Sequence, residues 1–190
     1  MLSAEDLGYK VPSRDSAADI IGLGLHEAVK TLFPLLCDAD VEKFIKLYSL
    51  NFRAHDQTPS KLFPQVAEVL TSLKESGYLI SVATGKSRAG LDRVLSALNM
   101  TDIFDGSRCA DETVSKPDPL MLQQLLDQFD LTPDEALMVG DTEFDLDMAY
   151  RAGIPSIGVS YGAHSKDRLL QYNPVATIDE FIKLKNYILQ

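Results

Sequence analysis

From Pro64 onward, short apolar runs alternate with amphipathic segments, and this alternation limits the fold more than any other property of the 190-residue chain. Val66, Val69, Leu70 and Leu73 recur at helical spacing, Gly77 offers a stop, and Tyr78 to Ala83 is a compact apolar run that predicts a strand. Leu91, Val94, Leu95 and Leu98 share one face of a helix over Ser87 to Leu98, and a proline opens the next helix, Pro117 to Phe129. Ala136 to Val139 predicts a second strand. Phe144 to Ala152 is a helix closed by Gly153, Ile154 to Val159 a third strand and Val175 to Ile178 a short fourth. Strands separated by helices of about ten residues predict right-handed βαβ units, hence an α/β fold with a doubly wound, Rossmann-like parallel sheet.

The first sixty residues have a different period. Ile20, Ile21, Leu25, Val29 and Leu32 lie on one helical face within Ser16 to Phe33, and Val41, Phe44, Ile45, Leu47 and Tyr48 on another within Asp38 to Phe52. No strand signal interrupts them. The expected division is therefore a small helical unit over residues 1–60 and a sheet domain over 61–190, joined through Gln57 to Ser60.

Eighteen Lys and Arg against 28 Asp and Glu leave a net charge of −10, which disfavours nucleic acid and anionic membrane as partners. An anionic substrate would need a local positive device. Cys37 and Cys109 show neither disulfide nor zinc spacing, and the N-terminal residues lack the pattern of a secretion signal, so a cytoplasmic location is expected.

In doubly wound folds chemistry gathers where strands end. The first strand runs into Thr84-Gly85-Lys86-Ser87, where a hydroxyl and free N–H groups at a helix start can receive an anion, or simply cap the helix. Lys116 precedes a proline-started helix. The second strand runs into GDTEFD, Gly140 to Asp145, placing two carboxylates one helical turn apart. Hard oxygen ligands at that spacing suit magnesium, although acidic residues also favour a helix N-terminus for electrostatic reasons alone.

Taken in order, the Thr84 strand end, Lys116 in a Lys-Pro turn and GDTEFD resemble the second, third and fourth motifs of the haloacid-dehalogenase-like phosphatases. GYLISVATGKSRAGLDRVL and RCADETVSKPDPLML are similar to the phosphoglycolate-phosphatase-like branch. The likeness spans about residues 60–165, and residues 10–55 resemble that family's helical cap. It implies a magnesium-dependent phosphomonoesterase that acts on a small phosphorylated metabolite through an aspartyl-phosphate intermediate. Thr84 and Gly85 would bind a phosphoryl oxygen, and Lys116 would neutralise the phosphate and the intermediate. Asp141 would ligate Mg2+, with Asp145 also at the metal, supporting its water shell, or supporting Lys116. Gly22-Leu23-Gly24-Leu25 and His26 resemble a substrate-facing cap segment, the paired glycines marking a break where backbone approaches the mouth of the site. His26 would contact substrate or remain an ordinary helix position. Arg53, His55, Lys86 and His164 are weaker candidates, and the state would be monomer or homodimer.

One motif of that family, Asp-x-Asp-Gly-Thr, occurs nowhere in the 190 residues. In the family it ends a central strand, and its first Asp is the nucleophile. Asp15, Asp19 and Asp56 follow no apolar run and read as caps or solvated charges. The sheet is therefore expected to lack its first core strand, with the nucleophile strand outside this sequence, and the two flanking strands must pair directly, borrow a strand or stay poorly ordered. A non-catalytic phosphate- or partner-binding protein, or a sugar-phosphate mutase of the same family, are the alternative readings. Dehalogenation fits less well, because GDTEFD is of metal type.

Overall fold

The structure, a computed structural model, describes residues 2–55 and 60–189, and of Arg53 only the backbone. Most of the linker expected at Gln57 to Ser60, together with Asp56, lies outside the described residues.

Four helices open the chain: α1 Leu2–Asp6, α2 Arg14–Asp19, α3 Leu25–Leu32 and α4 Asp38–His55. Ala4, Val29, Val41 and Phe44 form their buried cluster, and the rings of Phe33 and Phe44 meet at 5.0 Å between centroids. The single helix expected over Ser16 to Phe33 is broken at residues 20–24. There Gly22 takes φ +107°, a left-handed backbone that side chains avoid, and Gly24 caps α3.

The sheet domain follows as α5 Val66–Glu75, β1 Ser81–Thr84, α6 Arg88–Ala97, β2 Gly106–Cys109, α7 Leu120–Phe129, β3 Met138–Gly140, α8 Glu143–Ala152, β4 Ser156–Val159, α9 Lys166–Leu170, β5 Ala176–Ile178 and α10 Lys185–Ile188. All strand pairs are parallel. β1 pairs with β2 in the register Thr84 to Cys109, while β3, β4 and β5 pair in that order, with Val139 opposite Ile157 and Gly158 opposite Thr177. Successive residues before and in β3 point to opposite faces, as a pleated strand requires. Leu137 and Val139 join a cluster with Val69, Leu73 and Ile157, whereas Ala136 and Met138 join one with Met121, Leu122 and Met148. Helices therefore cover both faces, which explains why these strands read as continuous apolar runs.

The parallel strands form two sheets rather than one. Among the described residues, β1 has no strand partner on its free side and neither has β3. Between them lies a cavity of about 710 Å³ lined by Ser81, Val82, Ala83, Leu137, Met138 and Val139, with Leu122 and Ile157 among the residues that close it. Direct pairing of the two flanking strands does not occur. Among the described residues no helix is long and apolar enough to cross a membrane.

Candidate active site

Thr84 ends β1, Lys116 lies in the loop between β2 and α7, and Asp141 lies in the turn between β3 and α8; residues 22–24 touch a neighbour of each. Thr84 closes β1 and is half-buried; its hydroxyl accepts the N–H of Lys86 at 3.1 Å, which tightens the turn into α6. Ser87 then caps that helix by accepting the Gly90 N–H at 3.2 Å. Behind the turn, Arg88 binds Glu112 through two 2.8 Å hydrogen bonds, which ties α6 to the loop that carries Lys116. That contact, with a further hydrogen bond from the Cys109 N–H, holds the Glu112 carboxyl down at about 2.

Lys116 is 6% exposed, and its ammonium donates to Asp145 Oδ1 at 2.5 Å. The other carboxylate oxygen of Asp145 accepts the Thr142 N–H at 3.0 Å and the Thr142 hydroxyl at 2.7 Å. Asp145 thus completes a capping box at the start of α8 while holding Lys116 in place. Gly140 makes this approach possible, since a Cβ there would lie 2.3 Å from the Cβ of Asp145.

Asp141 sits in the turn between β3 and α8. Its Oδ2 accepts the Ala163 N–H at 3.0 Å, and its carbonyl accepts the His164 N–H at 3.1 Å. Gly162 is required here, because a Cβ would fall 2.1 Å from the Cβ of Asp141. His164 is buried; its Nδ1 accepts the Glu143 N–H at 3.1 Å, and burial pushes its pKa down. Asp141 Oδ1 has no hydrogen-bond partner among the described residues, so one carboxylate oxygen is free toward a cation. Those residues contain no group of three His, Cys, Asp or Glu that could close around a metal. A single carboxylate oxygen at Asp141 cannot enclose a cation by itself, so any hard cation held here would take its remaining oxygen ligands from water or a bound anion.

The broken segment of the helical unit reaches this site. Gly24 donates its N–H to Ser115 Oγ at 2.7 Å, a Cβ on Gly22 would lie 2.8 Å from Thr142 Oγ1, and a Cβ on Gly85 would lie 2.4 Å from the Leu23 carbonyl. His26 is not brought in: its ring stands in the first turn of α3, 3.6 Å from Glu27 and 42% exposed. Lys86 is exposed, His55 contacts the Asn51 carbonyl, and the Arg53 side chain lies outside the described residues. Thr142, Ser115 and Gly162 are the site residues that sequence reasoning missed. A glycine just beyond a strand end was the visible signal for the last.

A model of the haloacid dehalogenase-like hydrolases matches residues 2–159. The chain belongs to that family. It is 36% identical over 93% of its length, and 78% of the relative's, to the "Probable phosphatase IndB" of Dickeya dadantii. It is 28% identical to a phosphoglycolate phosphatase of Haemophilus influenzae over 90% of this chain and 76% of that one. A protein from Bacteroides fragilis whose crystal structure was described under the same family name superposes with a TM-score of 0.88, at 27% identity, over 96% of this chain and 88% of its own. Within the haloacid-dehalogenase-like hydrolases the chain falls, by that likeness, in the phosphoglycolate-phosphatase-like branch, with a Rossmann-like core and a helical cap.

Proposed function

We propose that this haloacid-dehalogenase-like chain is the body of a magnesium-dependent phosphomonoesterase for a small phosphorylated metabolite, with phosphoglycolate as the type of substrate. The observation that carries this reading is that one turn, residues 22–24, rests against Gly85, Ser115 and Thr142, the immediate neighbours of Thr84, Lys116 and Asp141, so the three segments that carry them meet beneath it. Residues 1–60 act as the cap and 61–190 as the core. Thr84 and the backbone at Gly85 receive one phosphoryl oxygen, and Lys116 neutralises charge on the transferring group without having to move, because Asp145 fixes it. In this reading Asp145 holds Lys116 and supports the water shell of a metal beside Asp141, its two oxygens accepting from Lys116 and Thr142. When bound, magnesium would supply charge compensation and would align phosphate oxygens beside Asp141. The cleft between the free edges of β1 and β3 is where this reading seats the strand of the family's Asp-x-Asp-Gly-Thr motif, whose first Asp would accept the phosphoryl group.

The test uses an aryl phosphate. A chain extended at its N-terminus by the nucleophile strand should hydrolyse it with magnesium, and Asp141→Asn should remove most of that turnover by weakening the metal site. Unchanged turnover in Asp141→Asn at limiting magnesium would overturn the assignment. The 190-residue chain by itself should bind phosphate weakly and turn over at background. Robust, chelator-sensitive turnover from it would place the nucleophile among the residues described above.

A further inference from the structure

Arg168 lies outside every motif considered so far, yet its guanidinium joins the core to the cap. Nε and Nη2 donate to the two carboxylate oxygens of Glu143 at 3.1 and 2.5 Å, and Nη1 donates to Asp19 Oδ1 at 2.6 Å. Glu143 is the first residue of α8, next to Thr142. Asp19 ends α2, and the residues directly after it form the turn that rests on Thr142, Ser115 and Gly85. A planar guanidinium can bind one carboxylate with two parallel bonds and still offer a third donor elsewhere.

The two arms of this contact are unequal. The side chains of Arg168 and Glu143 are 30% and 23% exposed, so the core arm is partly shielded from solvent. Asp19 is 62% exposed, so the cap arm is an ion pair of small worth that opens readily. Beyond this contact, the glycine turn is held to the core by the Gly24 to Ser115 hydrogen bond and by close packing at Gly22 and Leu23. We propose that Arg168 is a positioning residue of the site: anchored on Glu143, it catches Asp19 and so seats residues 22–24 against Gly85, Ser115 and Thr142.

Hydrogen exchange of the Gly24 amide in the 190-residue chain tests this, and the readout requires no turnover, so it stands apart from the phosphatase reading. Arg168→Gln should speed exchange at Gly24 about three- to fivefold, as loss of a partly exposed pair implies. Asp19→Asn should do the same, and the double variant should exceed neither single variant, because each alone breaks the one arm that reaches the cap. Amides of β4 should be unchanged, and Arg168→Lys, which lacks the fork, should fall between wild type and Arg168→Gln. The proposal is overturned by wild-type exchange at Gly24 in either single variant, by additive effects in the double, or by an equal rise at β4, which would mean general loosening. Should Arg168→Gln fail to fold, Asp19→Asn alone decides, since its side chain is exposed on the cap.

Discussion

Lys116 and Asp145, 29 residues apart in sequence, form an ion pair of 2.5 Å in which each side chain is 6% exposed. Buried pairs of this kind stabilise little in total, but removing one partner leaves a charge without compensation. Lys116→Met should therefore cost about 3–5 kcal/mol in urea unfolding. The double change Lys116→Met with Asp145→Leu should recover part of it, less about 1 kcal/mol for the lost cap of α8. A single-variant loss below about 1 kcal/mol would mean that water reaches the pair and screens it.

Gly162→Ala tests the support of Asp141. The added Cβ would meet the Cβ of Asp141 at 2.1 Å, so the turn carrying Ala163 and His164 must shift. Magnesium affinity of the strand-extended protein, followed by titration of its phosphatase activity, should fall about tenfold or more, the range seen when outer supports of metal ligands are altered. Retained affinity would show that the turn absorbs the methyl group elsewhere.

Acid should weaken the tie between Arg88 and Glu112. The Glu112 carboxyl titrates at about 2 in the folded protein against 4.5 as its ordinary value, chiefly through its hydrogen bonds with Arg88. A lowered folded value means that stabilisation is complete above the ordinary value and is lost as pH falls toward about 2. With the Glu112 side chain 36% exposed, the effect is limited by water to about 0.5–1 kcal/mol. Wild type and Arg88→Gln should differ by that amount near neutrality and converge below pH 4.5. A difference that persists unchanged to the acid limit would assign the contribution to packing of the arginine stem.

The cleft between β1 and β3 predicts a gain on filling. Fusing an apolar, strand-forming segment of about five residues ahead of the chain should raise the melting temperature, because it would pair the free edges of β1 and β3 and cover the apolar lining between them. One kcal/mol corresponds to about 2–4 °C at this size. Without the segment, a dimer that forms with rising concentration would reflect the same free edges. Equal melting temperatures, with both forms monomeric throughout, would mean that the cleft walls are already satisfied.

The sequence made the sheet domain legible where strands carry runs of apolar residues, although only β4 is buried along its whole length. Ile154 to Val159 and Val175 to Ile178 contain β4 and β5, while Tyr78 to Ala83 and Ala136 to Val139 overlap β1 and β3, which each end one residue later; Tyr78 and Leu79 precede β1 and are 42% and 52% exposed. β2 escaped because Gly106-Ser107-Arg108-Cys109 carries no apolar run; there Arg108 lies along α7, bonding Gln124 and Gln128. The paired glycines rightly suggested a break near residue 22, but helical period alone carried the predicted helix through it. Spacing within GDTEFD placed two carboxylates together, yet only the tertiary fold shows that Asp145 faces Lys116 while Asp141 keeps a free oxygen. Asp19, which read as a solvated charge, is a partner of Arg168, a contact 149 residues long in sequence that no local pattern records.

The divided sheet also bears on how the catalytic groups are spaced. Thr84 rides on one half and Asp141 on the other, and the halves are joined at this end by Lys116 reaching across to Asp145 and by α7 lying against α8. Whatever occupies the cleft acts as a gauge block: its thickness sets how far the hydroxyl of Thr84 stands from the carboxylate of Asp141. A strand hydrogen-bonded to both free edges would hold β1 and β3 about 10 Å apart whatever side chains it carried, because neighbouring strands repeat every ~4.8 Å across a sheet, so backbone that never touches phosphate would set the width of the bite.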